Sequence, residues 1–390
     1  MMPWITGICR GCVIRARIRC YRGNGVVMML KAPFPYFGGK SKVASVVWER
    51  FGDVSNYVEP FCGSMAVLLG RPADHRGRCE TVNDKNHFIA NFWRAVKNDP
   101  EAVADWADWP VNESDLFPRH KWLVTEGAER IAGINDDPFL YDPQVAGWWL
   151  WGQCAWIGSG WCSSKINNKR PHLGDAGQGI NRKIPNQRPH LGDAGKGINR
   201  KIPNQIPDIG RAGKGINRII PHLGSTGRGI NLVCNATNRR EYIMEQMQQL
   251  ACRLRDVRVC CGDWKRVLTR GALHYGSSVG IFLDPPYSYT TGRAKGCYTD
   301  EMQDTSEVRQ WAIEHGDDPR LRIALCGYEG EHEIPDTWEK YEWKANASYK
   351  THRGDQTGNR HRERIWFSPH CLRANTTQDK TSMDTLFCLL

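Results

Sequence analysis

A short apolar run, Val279-Gly-Ile-Phe-Leu283, leads directly into Asp284-Pro285-Pro286-Tyr287. Five consecutive residues without polar alternation, rich in branched and aromatic side chains, suit a strand buried on both faces of a parallel sheet. The strand must stop at Asp284, because neither proline has an N–H to give the ladder. Open α/β sheets bind their ligands just beyond the carboxyl ends of their strands. The sequence therefore places a carboxylate, two conformationally fixed carbonyls and an aromatic ring where such a sheet does its chemistry. An exocyclic amine on a planar base requires acceptors for its N–H groups and a surface to stack on. Asp284 and the Pro285 carbonyl are suited to the first need, and Tyr287 to the second. Strand–Asp–Pro turns are also common in loops with no ligand, so the rest of the chain has to decide.

Three further segments read as ligand-binding turns. Residues 33–40 are Pro-Phe-Pro-Tyr36-Phe-Gly38-Gly39-Lys40. The glycine pair allows close approach of backbone to a ligand, and a helix predicted over Ser41–Phe51 starts directly behind Lys40. A cation at such a helix start suits a carboxylate. The glycine spacing is not that of a P-loop. Residues 57–69 give a strand at Tyr57-Val58 and a tight turn from Glu59 to Ser64 that contains Pro60, Phe61 and Gly63. A helix follows from Met65. Gly63 stands at the point of closest approach in such a strand–turn–helix nucleotide unit. Thr81-Val-Asn-Asp84 ends a second strand, 21 positions after Gly63, where an acid commonly grips a ribose hydroxyl pair. The stripe of Phe88, Ile89, Phe92, Trp93 and Val96 in the next predicted helix, Asn86–Val96, is core.

Taken together, these motifs resemble those of the Dam-like family of adenine-specific DNA N6-methyltransferases, of the phage and prophage type. Tyr36-Phe-Gly-Gly-Lys40, Glu59-Pro-Phe-Cys-Gly63-Ser, Asn83-Asp84 and Asp284-Pro-Pro-Tyr287 occur in the family's order, with a long insertion before the last. The resemblance covers residues 30–100 and 255–370. It implies an α/β fold, a Rossmann-like class I methyltransferase sheet carrying an inserted target-recognition region. It implies S-adenosylmethionine as cofactor and double-stranded DNA as substrate. Tyr36, Gly38, Gly39, Lys40, Glu59, Pro60, Phe61, Gly63, Asp84, Asp263 and Asp284 are then cofactor contacts, with Asp263 beside the adenine and Trp264 near its ring. Asp284, Pro285, Pro286 and Tyr287 are the catalytic residues. Met65 departs from the family, which often has a small residue there. It is expected to narrow the pocket.

The implied organisation is an N-terminal extension over 1–28, expected to be disordered, and a cofactor-binding half over 29–100. The insertion spans 101–240, the catalytic half 241–371, and a polar tail 372–390. The insertion begins with a Trp-rich stretch that should be largely helical. It continues with an 18-residue unit at 170–187 that recurs at 188–205 with one change, Gln178 to Lys196, followed by two degenerate copies. Its glycine density excludes helix, and no apolar strand precedes it as a dinucleotide fingerprint requires. Two readings stand. Either the basic units, with Arg182, Lys183, Lys196, Arg200 and Lys201, track the phosphate backbone, or an exposed loop has merely tolerated duplication. Arg293 and Lys295, in the polar loop after Tyr287, are further candidate DNA contacts.

Composition is consistent with this picture. Hydrophobic residues make up 40% of 390, enough for a core, and the formal net charge of +11 suits a polyanionic partner. The 15 cysteines are scattered and only Cys9-Arg-Gly-Cys12 has knuckle spacing, so no metal is expected. No membrane partner or spanning segment is expected either. A cytoplasmic protein with reduced thiols is the resulting expectation, and a cognate restriction endonuclease is a partner the resemblance allows. Methylation of cytosine's exocyclic amine, of RNA or of a protein glutamine remains an alternative at this stage. So does a non-catalytic DNA-binding protein on a methyltransferase scaffold. A nucleotide-dependent oxidoreductase lacks its glycine fingerprint.

Overall fold

A computed structural model describes residues 30–36, 38–72, 77–156, 161–162, 236–287, 305–343 and 362–373. These form a mixed α/β structure around a seven-stranded, mostly parallel sheet. The strands are β1 (Asn56–Glu59), β2 (Cys79–Asp84), β3 (Val257–Cys261), β4 (Val279–Leu283), β5 (Leu321–Tyr328), β6 (Glu339–Glu342) and β7 (Glu363–Phe367), in the spatial order β3-β2-β1-β4-β5-β7-β6. The first five run parallel, and β7 returns antiparallel to both β5 and β6.

The apolar run at 279–283 is central β4, buried at every position as its lack of alternation predicted. Successive side chains still serve opposite faces. Tyr57, Phe282, Ala324 and Cys326 join the larger core, while Val58, Ile281, Leu283, Ile323 and Leu325 join the smaller one. The helices α1 (Ala44–Phe51) and α2 (Ala66–Leu69) cover the first face together with α3 (His87–Asn98), which carries the expected aromatic stripe. Asn86 caps α3 by accepting from the Phe88 and Ile89 amides.

The insertion begins helically, as its tryptophans suggested. It comprises α4 (Pro100–Ala107), α5 (Glu113–Trp122), a π-helical turn at 123–127, α6 (Ala128–Arg130) and α7 (Pro143–Ala155). The chain is next described at α8 (Ala236–Leu254), which leads into β3. The short α9 (Arg270–Leu273) precedes β4, and α10 (Ser306–His315) precedes β5 and packs on the second face. The extension at 1–28 and the repeats lie outside the described residues. Among the described residues no helix is long and apolar enough to cross a membrane. No group of three or more His, Cys, Asp or Glu is placed there to hold a metal.

Two buried arginine systems fasten the helices to the sheet. Arg94 of α3 donates to the carbonyls of Val259, Ile134, Asp137 and Leu140, tying β3 to the insertion. Glu80 of β2 accepts from Arg71 at 3.0 Å and from Arg253 of α8 at 2.7 Å, with all three side chains nearly inaccessible. Removing one partner of such an arrangement leaves charge buried without compensation. Glu80→Ala should therefore cost about 3–5 kcal/mol, read as a lowered urea midpoint. An unchanged midpoint would show that the two guanidinium groups are already satisfied by the backbone carbonyls they also touch.

Candidate active site

The strand order reverses between β1 and β4. The sequence moves outward from β1 through β2 to β3, then begins again on the other side of β1. Crevices beyond the carboxyl ends at such a reversal are where open α/β sheets hold ligands. Of the residues singled out in the sequence, Lys40 and Asp284 meet there.

Lys40 is at the centre. Gly38 has a left-handed backbone (φ 76°), which turns the chain so that Lys40 Nζ donates back to the Gly38 carbonyl at 2.8 Å. The helix predicted from Ser41 begins at Ala44, so Lys40 lies on a turn ahead of it. Its ammonium is almost fully buried, 2.9 Å from Asp284 Oδ1 and 3.8 Å from Glu363 Oε2. It also lies over the rings of Tyr287, at 5.2 Å, and Trp343, at 5.9 Å.

Tyr287 takes an unexpected position. A ring free to stack was expected, but Tyr287 is 5% exposed and packs edge-on against Tyr328, with centroids 4.6 Å apart. Its hydroxyl donates to Glu363 Oε2 at 2.9 Å and lies 3.3 Å from Asp284 Oδ1. Two carboxyl groups crowd one ammonium, and the hydroxyl bridges them.

Glu363, Tyr328 and Trp343 were not singled out from sequence. Glu363 stands one residue before the predicted closing strand, and nothing local marks it. Its role depends on β7 running antiparallel, which pairs Glu363 with Tyr328 at the end of β5.

The motifs around Glu59, Gly63 and Asp84 lie at the ends of β1 and β2. Glu59 is the last residue of β1 rather than the first of a turn. It is 2% exposed and accepts from the Tyr57 hydroxyl at 2.9 Å. The turn behind it is held by Asn83, whose amide donates to the carbonyls of Pro60 and Gly262, both at 3.0 Å. Gly63 is left-handed (φ 43°), and a Cβ there would stand 2.4 Å from the Tyr36 ring. Any side chain at 63 is excluded while Tyr36 occupies that place. Asp84 fixes the same turn, accepting from the amides of Gly63 and Asn86, each at 2.9 Å.

Asp263, at the tip of β3, caps a short 3-10 turn and is exposed. Trp264 is buried and stacks on Phe61 at 6.1 Å. Met65 adopts a left-handed conformation (φ 51°), and its side chain is wholly buried in the larger core. Arg182, Lys183, Lys196, Arg200, Lys201, Arg293 and Lys295 lie outside the described residues.

Burial governs the ionisation of this cluster. It lifts Asp284 above the ordinary carboxylate range, with Lys40 pulling the other way. Glu363 is also raised by burial; Lys40 lowers it and Asp284 adds to the rise. Glu59 is raised by burial to about 8, against the Tyr57 hydrogen bond, with Asp284 and Asp84 adding repulsion.

Residues 36–124 match the model of the family described as D12 class N6 adenine-specific DNA methyltransferase. The match supports the Dam-like adenine methyltransferase family recognised from the motifs. It covers the Gly-Gly-Lys turn, the Glu59–Gly63 turn, Asp84 and the first insertion helices, and ends before Asp284. No curated protein matches the chain.

The raised Glu59 has a definite sign. Between its unfolded value of 4.5 and its folded value of about 8, the folded state holds a proton that the unfolded chain has lost. Stability therefore declines as pH rises through that window. Glu59→Gln keeps an acceptor for Tyr57 and removes the titration. The variant should gain stability relative to wild type as pH rises from 5 to 8, measured by urea midpoints at each pH. A difference that stays flat across that range would mean Glu59 is ionised throughout.

Proposed function

We propose that the protein transfers a methyl group from S-adenosylmethionine to the exocyclic N6 amine of adenine in DNA. The observation that carries this reading is the 2.9 Å contact between Lys40 and Asp284. It joins the Gly-Gly-Lys turn and the Asp-Pro-Pro-Tyr motif at the reversal of strand order. The family match over 36–124 supports adenine in DNA as the substrate class. The strand order, with antiparallel β7 between β5 and β6, supports a Rossmann-like class I methyltransferase sheet.

The residues present fit S-adenosylmethionine. The absence of a Cβ at Gly63 lets the Tyr36 ring lie against the turn. Asp84 and Asp263 stand at the tips of β2 and β3, as hydroxyl and adenine partners require. Asp284 and Glu363 both approach the Lys40 ammonium, two carboxyl groups beside one cation. When bound, S-adenosylmethionine supplies an activated methyl group on a cationic sulfur.

The chain's own contribution is positioning. Lys40 holds Asp284 at the end of β4, and Pro285 and Pro286 fix the backbone after it. Asp284 and the Pro285 carbonyl accept the N–H groups of the amine and raise electron density on its nitrogen. A base amine engaged in pairing must first leave the stack. Tyr287 then stacks on it, for which its hydroxyl must leave Glu363. Entry of the base and that hydrogen bond compete.

Incubating unmethylated DNA with tritiated S-adenosylmethionine, followed by nucleoside analysis, should give label in N6-methyladenine. Asp284→Ala should lower the rate about 100- to 1,000-fold, as loss of a preorganised polar group does, and weaken cofactor binding, read by calorimetry. Label in N4-methylcytosine would retain the mechanism and change the base. Bound cofactor with no label in wild type would leave a DNA-binding protein without catalysis.

A further inference from the structure

The two donors that hold Asp284 also hold Glu363. Lys40 Nζ and the Tyr287 hydroxyl both reach Asp284 Oδ1, at 2.9 and 3.3 Å. The same two groups reach a single oxygen of Glu363, Oε2, at 3.8 and 2.9 Å. The distances run in opposite order: the ammonium sits closer to Asp284, and the hydroxyl closer to Glu363. At 3.8 Å Glu363 is within ion-pair range of Lys40 but beyond hydrogen-bond reach. A small movement of the ammonium therefore exchanges one carboxyl for the other.

The surroundings keep these groups together. Lys40 Nζ also donates to the Gly38 carbonyl at 2.8 Å, and it lies over the rings of Tyr287 and Trp343. Tyr328, paired with Glu363 between β5 and β7, packs edge-on against Tyr287. Glu363 itself is 6% exposed. Both of its neighbours in sequence are arginines, yet their side chains serve Glu329. Arg362 donates to the Glu329 carbonyl at 3.1 Å, and Arg364 pairs with the Glu329 carboxylate. Among the described residues, Lys40 is the cation beside the Glu363 carboxyl.

This arrangement meets a need that the target amine creates. Asp284 is to accept from that amine, but in the structure its Oδ1 already takes the ammonium and the hydroxyl. When Tyr287 turns to stack on the base, its hydroxyl leaves both carboxyl groups, and Glu363 loses its nearer donor. Lys40 can then close on Glu363, which relaxes its hold on Asp284 and leaves Oδ1 for the amine.

We propose that Glu363 is a positioning residue for methyl transfer: it takes up Lys40 as Tyr287 turns away, and so frees Asp284 to accept the target amine. The inference rests on the methyltransferase reading above. In this role Glu363 acts through Lys40 and Tyr287 and touches neither base nor cofactor.

Charge gives the role a signature. Asp284 loses acceptor capacity when it takes a proton, so activity falls on the acid side. The titratable groups around the two carboxyls are Lys40 ahead of α1, Glu59 of β1, Tyr287 after β4, and Cys326 and Tyr328 of β5. Burial raises Glu363, Lys40 lowers it, and Asp284 adds to the rise. Such repulsion is mutual, so a neutral side chain at 363 makes Asp284 easier to ionise.

The test measures kcat across pH with saturating S-adenosylmethionine and DNA. Glu363→Gln, which keeps the shape and loses the charge, should lower the plateau about 10- to 100-fold and shift the acid limb to lower pH. Glu363→Asp keeps the carboxyl on a shorter arm. It should leave the limb at its wild-type position and recover part of the rate. Tyr287→Phe combined with Glu363→Gln should cost at least about fivefold less than the product of the single effects, since both act through one network. Carbon-13 NMR of the aspartate carboxyl groups, with Asp284→Asn to identify the signal, reads the same shift without substrate. Thermal unfolding establishes that each variant is folded. An unchanged kcat in folded Glu363→Gln, or a lowered kcat with an unmoved limb, overturns this inference alone, because methylation by wild type keeps the enzymatic reading. No methylation by wild type, beside the expected carboxyl shift in Glu363→Gln, upholds the coupling of the two carboxyls and overturns the enzymatic reading with the role built on it.

Discussion

One buried ammonium organises the candidate active site. Lys40 reaches from the first turn of the described chain to Asp284 at the end of β4 and Glu363 at the start of β7. A charge this deeply placed is tolerated only with partners, and both come from the far end of the sequence from Lys40. The sheet makes the meeting possible in two ways. Parallel β4, next to β1, delivers Asp284 to the carboxyl edge beside the Lys40 turn. Antiparallel β7 delivers its first residue, not its last, to that same edge. A parallel strand in that place would carry Glu363 to the far side of the sheet.

The local features of this arrangement were legible in the sequence. An unbroken apolar run followed by Asp-Pro-Pro permits few structures, and β4 spans the five residues expected. The strand–turn–helix at 57–69 and the acid at 84 followed from spacing, because the period of a nucleotide-binding unit is local. What the sequence did not disclose is long-range. Glu363, Tyr328 and Trp343 owe their positions to strand order, which no window of neighbouring residues encodes. Tyr287 was singled out in the sequence, but its inward rotamer was not legible there, since its hydroxyl is held by Glu363, a distant acceptor. Met65 was flagged as a departure and proved to be a left-handed residue with a core side chain.

The buried arginines differ in a way that separates scaffold from site. Arg94 gives its donors to four backbone carbonyls. Arg71 and Arg253 share Glu80 and also reach the carbonyls of Val54 and Leu68. In both systems guanidinium donors close onto fixed acceptors, which rigidifies the contact between helix and sheet. Arg119 is stacked on three indoles, with Nη1 facing no acceptor. The same residue type, at comparable burial, is held by oxygen acceptors where it ties helix to sheet and by indole rings among the helices at 100–155.

The anchoring of the insertion explains why its length can vary without disturbing the sheet. The chain enters through α3 and α4 and is described again at α8, and both sides are fixed independently. Asn91 and Asp142 exchange hydrogen bonds between α3 and the start of α7, at 2.7 and 3.0 Å. Arg239 of α8 pairs with Asp108 just after α4 at 2.6 Å, and Arg253 closes the other end of α8 onto β2. The two ends of the segment between Cys162 and Ala236 are therefore held by contacts that do not involve the segment. Closing a longer loop between fixed ends costs only about 0.6 kcal/mol for each doubling of length.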